Sequence, residues 1–349
     1  MIFTLFIYNL ALALNIFFAV CSEKIKSSSN HILIVLSFLV VFLFVGLRYN
    51  VGNDYEAYTY LYNAIRGGVN THVEYGYYAL NKVFSYNLDG YKYVMIVSSF
   101  ITFLFLYMTL IRDKILSLGL FFVFTFEFLF LINDQVRQGV AISIFLFSIY
   151  YIEKRYFYKY LIFIISAALL FHYSALLLIP AYFIYRKKIA SWIWFVAIIV
   201  SFIFYLKGFF QKILINLIAF IPYYGERYVK YSKFVTPEEL GSGMAVLFWV
   251  LLALFIAYKQ HKIERPVLIN LYLFGMVFYL IFLDFHLLSR AAAYMFYIKI
   301  LIFPLYLSVE KNMFFKITIL VIALLFFELE VFLDLGKHGG FPYQTIFSK

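Results

Sequence analysis

The chain has 349 residues, of which 65% are hydrophobic and only 13% are charged. A single soluble core cannot enclose that much apolar surface beneath a polar exterior, so the composition excludes an ordinary soluble domain and indicates an integral membrane protein. The formal charge of +11 comes from basic residues scattered through short loops without a recognition motif, which favours lipid or an anionic substrate over nucleic acid as the partner.

Apolar runs of about 17 to 25 residues recur along the chain, the helix length that crosses roughly 30 Å of hydrocarbon. They predict an all-α, polytopic integral membrane protein with about 10 full transmembrane helices in one domain, residues 1–349. The predicted spans are 2–20, 31–47, 93–111, 116–132, 138–152, 190–206, 244–258, 267–283, 291–308 and 313–333.

Residues 160–185 are long for one crossing and short for two, and they carry His172 at the middle. A broken or re-entrant helix pair is predicted there. Because short cytoplasmic loops are enriched in Lys and Arg, the basic loops place the amino terminus outside. The long polar connections 48–92 and 207–243 then lie on the outer face, where we expect them to form the active-site cavity.

The stretch "GLRYNVGNDYEAY", residues 46–58, interrupts the apolar pattern with an arginine, a carboxylate and tyrosines. Arg48 is predicted to end the second span at the outer face. Gly52 permits a turn, and Asp54 with Tyr55 begins the next short segment. The structural alternative is that Arg48 and Asp54 form an ion pair that fixes the outer loop.

The stretch "INDQVRQG", residues 132–139, predicts a helix that starts near Asn133. Asn133 and Arg137 would then be one turn apart, as would Asp134 and Gln138. Arg137 would project close to the bilayer edge. An arginine that only reaches the lipid headgroups is the simpler explanation, but such an anchor needs no neighbouring carboxylate and amides.

The stretch "LLFHYSALLLIP", residues 169–180, places His172 in an apolar segment. A buried histidine there is costly unless it faces a cavity or a partner, so it is a functional candidate. The structural alternative is a bond from His172 to a neighbouring carbonyl that stabilises a broken helix. Ser174 can satisfy backbone groups at the same break.

The stretch "FLDFHLLSRAAAYMFY", residues 282–297, places Asp284 and Arg290 on either side of a predicted helix start. Its three alanines allow close helix packing, and Arg290 then points outward. Together with Arg48 and Arg137, it gives three guanidiniums on one side of the membrane. Planar guanidiniums suit bidentate contact with phosphate, and three of them suit a pyrophosphate.

The sequence contains no G-x-x-x-x-G-K-[ST], H-E-x-x-H or G-x-S-x-G motif and no close cluster of acidic residues. It therefore predicts neither a nucleotide-driven motor nor a metal site, and no cofactor.

The stretches "RYNVGNDYEAY", "NDQVRQGVAISIF", "FHYSALLLIP" and "SRAAAYMFY" occur in this order, and the chain thereby resembles the EpsG-type, Wzy-like family of bacterial polysaccharide polymerases. The likeness runs from about residue 40 to the "FPYQTIF" tail. Its most specific element is R-x-x-x-G-x-D-Y-x-x-Y, formed here by Arg48, Gly52, Asp54, Tyr55 and Tyr58.

The resemblance implies a multi-pass enzyme of the bacterial inner membrane whose active site faces the periplasm or the cell exterior. It implies transfer of a growing glycan from undecaprenyl pyrophosphate to a new lipid-linked repeat unit at the outer leaflet, without metal, nucleotide or cofactor. The expected partners are the undecaprenyl-pyrophosphate-linked oligosaccharide, membrane lipid and a protein that regulates chain length.

Given this reaction, Arg137 and Arg290 are expected to bind the pyrophosphate leaving group, with Arg48 assisting. The base that deprotonates the acceptor hydroxyl is either His172 or Asp54. His172 is preferred because imidazole titrates nearer neutrality, whereas Asp54 lies in the most distinctive motif. The residues predicted to support this site are Tyr55, Asp134, Gln138, Ser174 and Asp284.

Two other functions stay open at this point. A flippase or exporter of lipid-linked oligosaccharide would also need arginines and a broken helix, but it should carry polar positions toward the inner side as well. A ligase that moves finished glycan onto another acceptor would use the same donor and much the same residues.

Overall fold

The structure is a computed structural model that describes residues 2–25, 30–210, 213, 243–283, 286–333 and 342–347. Within these ranges the regular elements are helices, and extended segments pair only at an isolated antiparallel bridge between Arg48 and Thr345. The prediction of an all-α fold is therefore confirmed.

The helices follow one another closely along the described chain. In order they are α1 (Ile2–Lys24), α2 (Asn30–Gly46), α3 (Tyr55–Arg66), α4 (Tyr75–Val83), α5 (Tyr91–Arg112), α6 (Leu116–Thr125), α7 (Phe128–Asp134), α8 (Val136–Glu153), α9 (Phe157–Leu170), a 3₁₀ helix (Tyr173–Phe183), α10 (Ser191–Leu206), α11 (Gly243–Lys259), a 3₁₀ turn (Gln260–Lys262), α12 (Pro266–Phe282), α13 (His286–Phe296), α14 (Lys299–Val309) and α15 (Met313–Leu333).

Several helices are long and apolar enough to cross a membrane, which supports an integral membrane protein. Four single helices qualify in the described ranges, and the bent pair α6–α7 makes a fifth if it is one span. Five further apolar helices have 10–17 residues. The predicted number of about ten full spans is therefore not confirmed. The four single spans are Ile2–Lys24, Tyr91–Arg112, Gly243–Lys262 and Leu288–Val309.

Two predicted helical segments are interrupted in the structure. The predicted span 116–132 is broken, because α6 and α7 meet at an angle of 62°. Glu127, between them, adopts a left-handed conformation with φ of 63°. The interruption predicted near His172 is confirmed, because α9 ends at Leu170 and the chain continues as a 3₁₀ helix rather than an α-helix. That both halves begin and end on one side of the membrane stays a prediction.

The described chain divides into two compact units, residues 1–179 with 299–349 and residues 180–298. In the first unit α5 packs against α2 and α8, α8 against α9, and α1 against α2 and α6. A buried polar network joins three of these helices: Asn15 Nδ2 donates to Ser37 O at 2.7 Å and to Tyr107 Oη at 2.9 Å. Such hydrogen bonds replace the missing hydrophobic driving force between helices in lipid.

In the second unit α10, α11 and α12 pack against one another, and α12 packs against α13. The buried Asn270 of α12 donates to the carbonyls of Tyr185 and Lys187 at 2.7 and 2.8 Å. These bonds satisfy backbone groups in the irregular segment that precedes α10.

At one end of the first unit, α3 and α4 cover the start of α5. Tyr55, Tyr58 and Tyr62 recur on one face of α3 and are buried. They form a cluster with Tyr77 of α4 and Tyr91 of α5. We call these five residues the tyrosine cluster.

Candidate functional site

The polar motifs converge at the tyrosine-cluster end of the first unit. The end of α2, the turn before α3, the start of α4, the α7–α8 junction and the end of α9 are connected there by hydrogen bonds. Four of these bonds join residues that lie 63 to 99 positions apart in the sequence.

Arg48 ties the end of α2 to the rest of this site. Its Nη1 donates to Val45 O at 2.6 Å and its Nε to Val51 O at 3.3 Å. Its Nη2 donates to Asn133 O, also at 3.3 Å. The residue is buried, with 1% of its surface exposed. Burial lowers the pKa of the Arg48 guanidinium, and nearby tyrosines, Tyr55 foremost, oppose that effect.

The partners of Arg48 among the described residues are these carbonyls and, at 3.9 Å, the sulfur of Met95. Arg48 and Asp54 therefore do not form the ion pair that the sequence offered as an alternative. Asp54 immediately precedes α3, and its carbonyl accepts the N–H of Tyr58 at 3.0 Å. The pyrophosphate contact of Arg48 and the role of Asp54 as a base stay predictions.

The turn before α3 rests directly on the end of α7. Gly52 has φ of 102°, a conformation that L side chains rarely adopt, and a Cβ there would collide with the Asn133 carbonyl. The next residue, Asn53, donates its backbone N–H to Asp134 Oδ1 at 2.8 Å. The turn expected at Gly52 is confirmed, and Asp134 holds it against α7.

The helix predicted to start near Asn133 is arranged differently. Asn133 and Asp134 end α7, the backbone breaks at Gln135 with φ of −105° and ψ of 64°, and α8 starts at Val136. The prediction that Asn133 and Arg137 lie one turn apart on a single helix is therefore wrong. The break lets the carbonyl of Asn133 accept from Arg48 while Arg137 opens the next helix.

Arg137 is held by a carboxylate and two aromatic rings. Its Nη1 lies 2.6 Å from Glu74 Oε2, with 23% of the arginine side chain and 5% of the glutamate side chain exposed. Its guanidinium carbon lies 5.9 Å from the ring centre of Tyr58 and 5.6 Å from that of Tyr77. Such contacts are attractive because the ring face is negative.

Both tyrosines beside Arg137 are neutral phenols. Burial raises the pKa of the Tyr58 and Tyr77 hydroxyls, and the Arg137 charge only partly opposes the rise. The ion pair in contact with these two rings is therefore Arg137–Glu74.

Glu74 also connects Arg137 to the segment that carries His172. Its second oxygen, Oε1, accepts the backbone N–H of Tyr173 at 3.2 Å. Close packing supports this contact: a Cβ on Gly76 would lie 2.7 Å from the backbone of Leu170. The start of α4 thus docks on the end of α9, next to His172.

His172 lies at the break between α9 and the 3₁₀ helix. Its Nδ1 is 2.5 Å from Ser174 Oγ, so the imidazole is oriented by a hydroxyl two residues away. Its backbone N–H donates to the carbonyl of Ala167 at 3.0 Å and closes α9. The imidazole, its hydroxyl partner and the Glu74–Arg137 pair therefore belong to one hydrogen-bonded region.

The other predicted site residues have different positions. Tyr55 is buried in the tyrosine cluster, and Gln138 is buried in α8 with 1% exposure. Arg290 lies on α13 of the second unit, and its association with the other arginines stays a prediction. Asp284 lies outside the described residues, as does most of the loop 207–243. Over the described ranges no group of three or more His, Cys, Asp or Glu side chains could hold a metal ion.

Sequence reasoning missed Glu74. The only signal was an acidic residue at the start of "EYGYYALNKV", a segment whose other residues are mostly tyrosine or aliphatic. An unpaired carboxylate is costly among such neighbours, so a cation brought from elsewhere in the chain could have been sought.

A comparison with family models finds a match described as the EpsG family, over residues 31–345. The chain belongs to the EpsG family. The resemblance seen in the motifs is thereby confirmed, and EpsG membership points to a glycosyltransferase-like polymerase of polysaccharide biosynthesis. Together with the apolar helices it also points to an integral membrane protein. Comparisons with curated proteins and with solved structures gave no match.

Proposed function

We propose that this EpsG-family protein transfers a growing glycan from undecaprenyl pyrophosphate to a new lipid-linked repeat unit at the outer leaflet of the bacterial inner membrane. The observation that supports this most directly is the partly exposed Arg137 guanidinium, set among tyrosine rings and connected through Glu74 to the His172 segment. A fixed cation that is linked through one carboxylate to the segment carrying an oriented imidazole suits a reaction that releases an anion and a proton.

In the proposed reaction an acceptor sugar hydroxyl attacks the anomeric carbon of the donor glycan. The new glycosidic C–O bond forms as the bond to pyrophosphate breaks, and polyprenyl pyrophosphate leaves with the bonding electrons. Arg137 stabilises the negative charge that builds on the leaving group. Because the protein supplies this charge, we propose that neither metal nor nucleotide is needed.

The proton of the acceptor hydroxyl goes to His172. When Nδ1–H donates to Ser174 Oγ, the lone pair of Nε2 is the one that accepts a proton. Asp54 is the second candidate for this role. Arg48, enclosed by carbonyls, is assigned the task of fixing α2, the Gly52 turn and α7 together, so that it assists the anion site indirectly.

The proposal is tested with purified protein and a synthetic lipid-pyrophosphate repeat unit, without nucleotide sugar or ATP and with a metal chelator. A ladder of glycan lengths on a gel is the expected product. A second assay places the protein and the same substrate in proteoliposomes and measures whether the lipid-linked unit crosses the bilayer. If no ladder forms and the lipid-linked unit instead crosses the bilayer, the protein is a transporter and the proposal is wrong.

A further inference from the structure

Glu74 is a buried carboxylate with two separate tasks. One oxygen pairs with Arg137 at 2.6 Å, and the other accepts the N–H of Tyr173 at 3.2 Å, one residue after His172. The residue as a whole is 4% exposed. Each oxygen therefore accepts from a different segment, one that carries Arg137 and one that carries His172. The proposed reaction uses both of these side chains.

Arg137 keeps donor capacity beyond this pair. Among the described residues its guanidinium hydrogen-bonds to Glu74 and to the Tyr58 hydroxyl, and its buried Nε has no acceptor. A guanidinium has five N–H donors, and 23% of this side chain is exposed. An oxyanion can therefore bind Arg137 without displacing Glu74.

The ion pair is not needed to dock α4 in its place. Tyr77 of α4 is buried in the tyrosine cluster, and Gly76 packs against Leu170. Replacing a buried ion pair by neutral groups often changes stability little, so the pair can serve a purpose other than stability.

We propose that Glu74 is a positioning residue that aims Arg137 and the His172 segment at each other and limits the affinity of Arg137 for the pyrophosphate leaving group. This inference rests on the proposed polymerase function. A fixed geometry lowers the barrier of the transfer step. A nearby negative charge weakens the hold of Arg137 on the anionic product, which must leave before the next repeat unit is added.

The two tasks predict effects of opposite sign in Glu74→Gln. The amide keeps an acceptor oxygen but loses the charge that balances Arg137. Inorganic pyrophosphate should then bind about threefold to tenfold more tightly, the effect of removing one counter-charge from a partly exposed guanidinium. Turnover at saturating donor should fall by roughly tenfold or more, because the guanidinium is no longer aimed.

The experiment uses the full chain in nanodiscs and measures inorganic pyrophosphate binding by calorimetry and glycan turnover by the gel ladder. Glu74→Asp keeps the charge and should retain wild-type affinity for pyrophosphate with partial turnover. Glu56→Gln is the matched control. Glu56 is exposed on α3, at a position that the R-x-x-x-G-x-D-Y-x-x-Y element leaves open.

The outcomes separate this inference from the proposed function. Tighter pyrophosphate binding with slower turnover in Glu74→Gln supports the inference. Weaker binding together with slower turnover means a structural role only, and wild-type values in both assays mean no role; either result overturns it. If the wild-type protein makes no ladder, the proposed function fails, while the pyrophosphate arm still decides whether Glu74 limits anion binding.

Discussion

Arg48 donates a hydrogen bond to the backbone carbonyl of Asn133 at 3.3 Å, across 85 residues of sequence. The same guanidinium holds one carbonyl at the end of α2, that of Val45, and one in the turn before α3, that of Val51. One side chain thus joins the first motif of the family to the second, and the site depends on this connection before any substrate binds.

Arg48→Lys should therefore behave almost like Arg48→Ala. An ammonium cannot donate to three carbonyls in these directions, and each unsatisfied buried carbonyl costs about 1–3 kcal/mol. Thermal unfolding in detergent should show a clear loss of stability in both variants. The charge-reversed pair Arg48→Asp with Asp54→Arg should not recover stability or activity. Recovery would mean that the two charges are paired in the membrane.

Gly52→Ala should be far more damaging than Gly68→Ala. Both glycines have positive φ, 102° and 78°, so both substitutions strain the backbone by about 1 kcal/mol. Only Gly52 faces the Asn133 carbonyl, whereas a Cβ on Gly68 meets nothing within 4 Å. The comparison of the two melting temperatures isolates the packing of the turn on α7. Equal losses would contradict that contact.

Gly76→Ala should reduce turnover without unfolding the protein. The added Cβ would lie 2.7 Å from Leu170 and push α4 away from α9, which separates Glu74 from the N–H of Tyr173. A displacement of about 1 Å near the chemistry can cost roughly 10²-fold in rate. Gly67→Ala is the control, because Gly67, just after α3, has an ordinary φ of −73° and a Cβ there would come no closer than 3.3 Å to a neighbour. Full activity of Gly76→Ala would show that α4 does not position the site.

Ser174→Ala should lower turnover by about tenfold, since the hydroxyl that orients the His172 imidazole is lost. His172→Ala should lose roughly 10²-fold or more if the imidazole is the base. The gel ladder measures both rates at saturating substrate. If His172→Ala inserts normally and makes polymer at the wild-type rate, His172 is not the base and Asp54 becomes the candidate.

The sequence predicted the helical class, the Gly52 turn and the interruption at His172, because each depends on local features such as apolar length, a glycine and a polar residue in lipid. It did not predict the break at Gln135. "INDQVRQG" contains neither Gly nor Pro before Arg137, so nothing local marks the change of direction. That break depends on tertiary contacts, above all those of Arg48 and Asn53 with α7.

Glu74 could not be assigned from sequence for a related reason. Its partners, Arg137 and the N–H of Tyr173, lie 63 and 99 residues away, and one of them is a backbone group that carries no residue-specific signal. The arginines could be identified as candidates from the sequence, because an isolated cation in an apolar chain needs an explanation. The counter-charge of Arg137 could be identified only from the fold, which brings α4 and α8 together.

The most direct test of the central claim is the rate of polyprenyl pyrophosphate release from a synthetic lipid-linked repeat unit, measured for wild type, Arg137→Ala and Arg66→Ala. Arg66 is an exposed arginine at the end of α3 and serves as the matched control. We predict that Arg66→Ala releases the product at the wild-type rate and that Arg137→Ala is slower by roughly 10²-fold. Equal rates for the two variants would contradict the assignment of Arg137 to the leaving group.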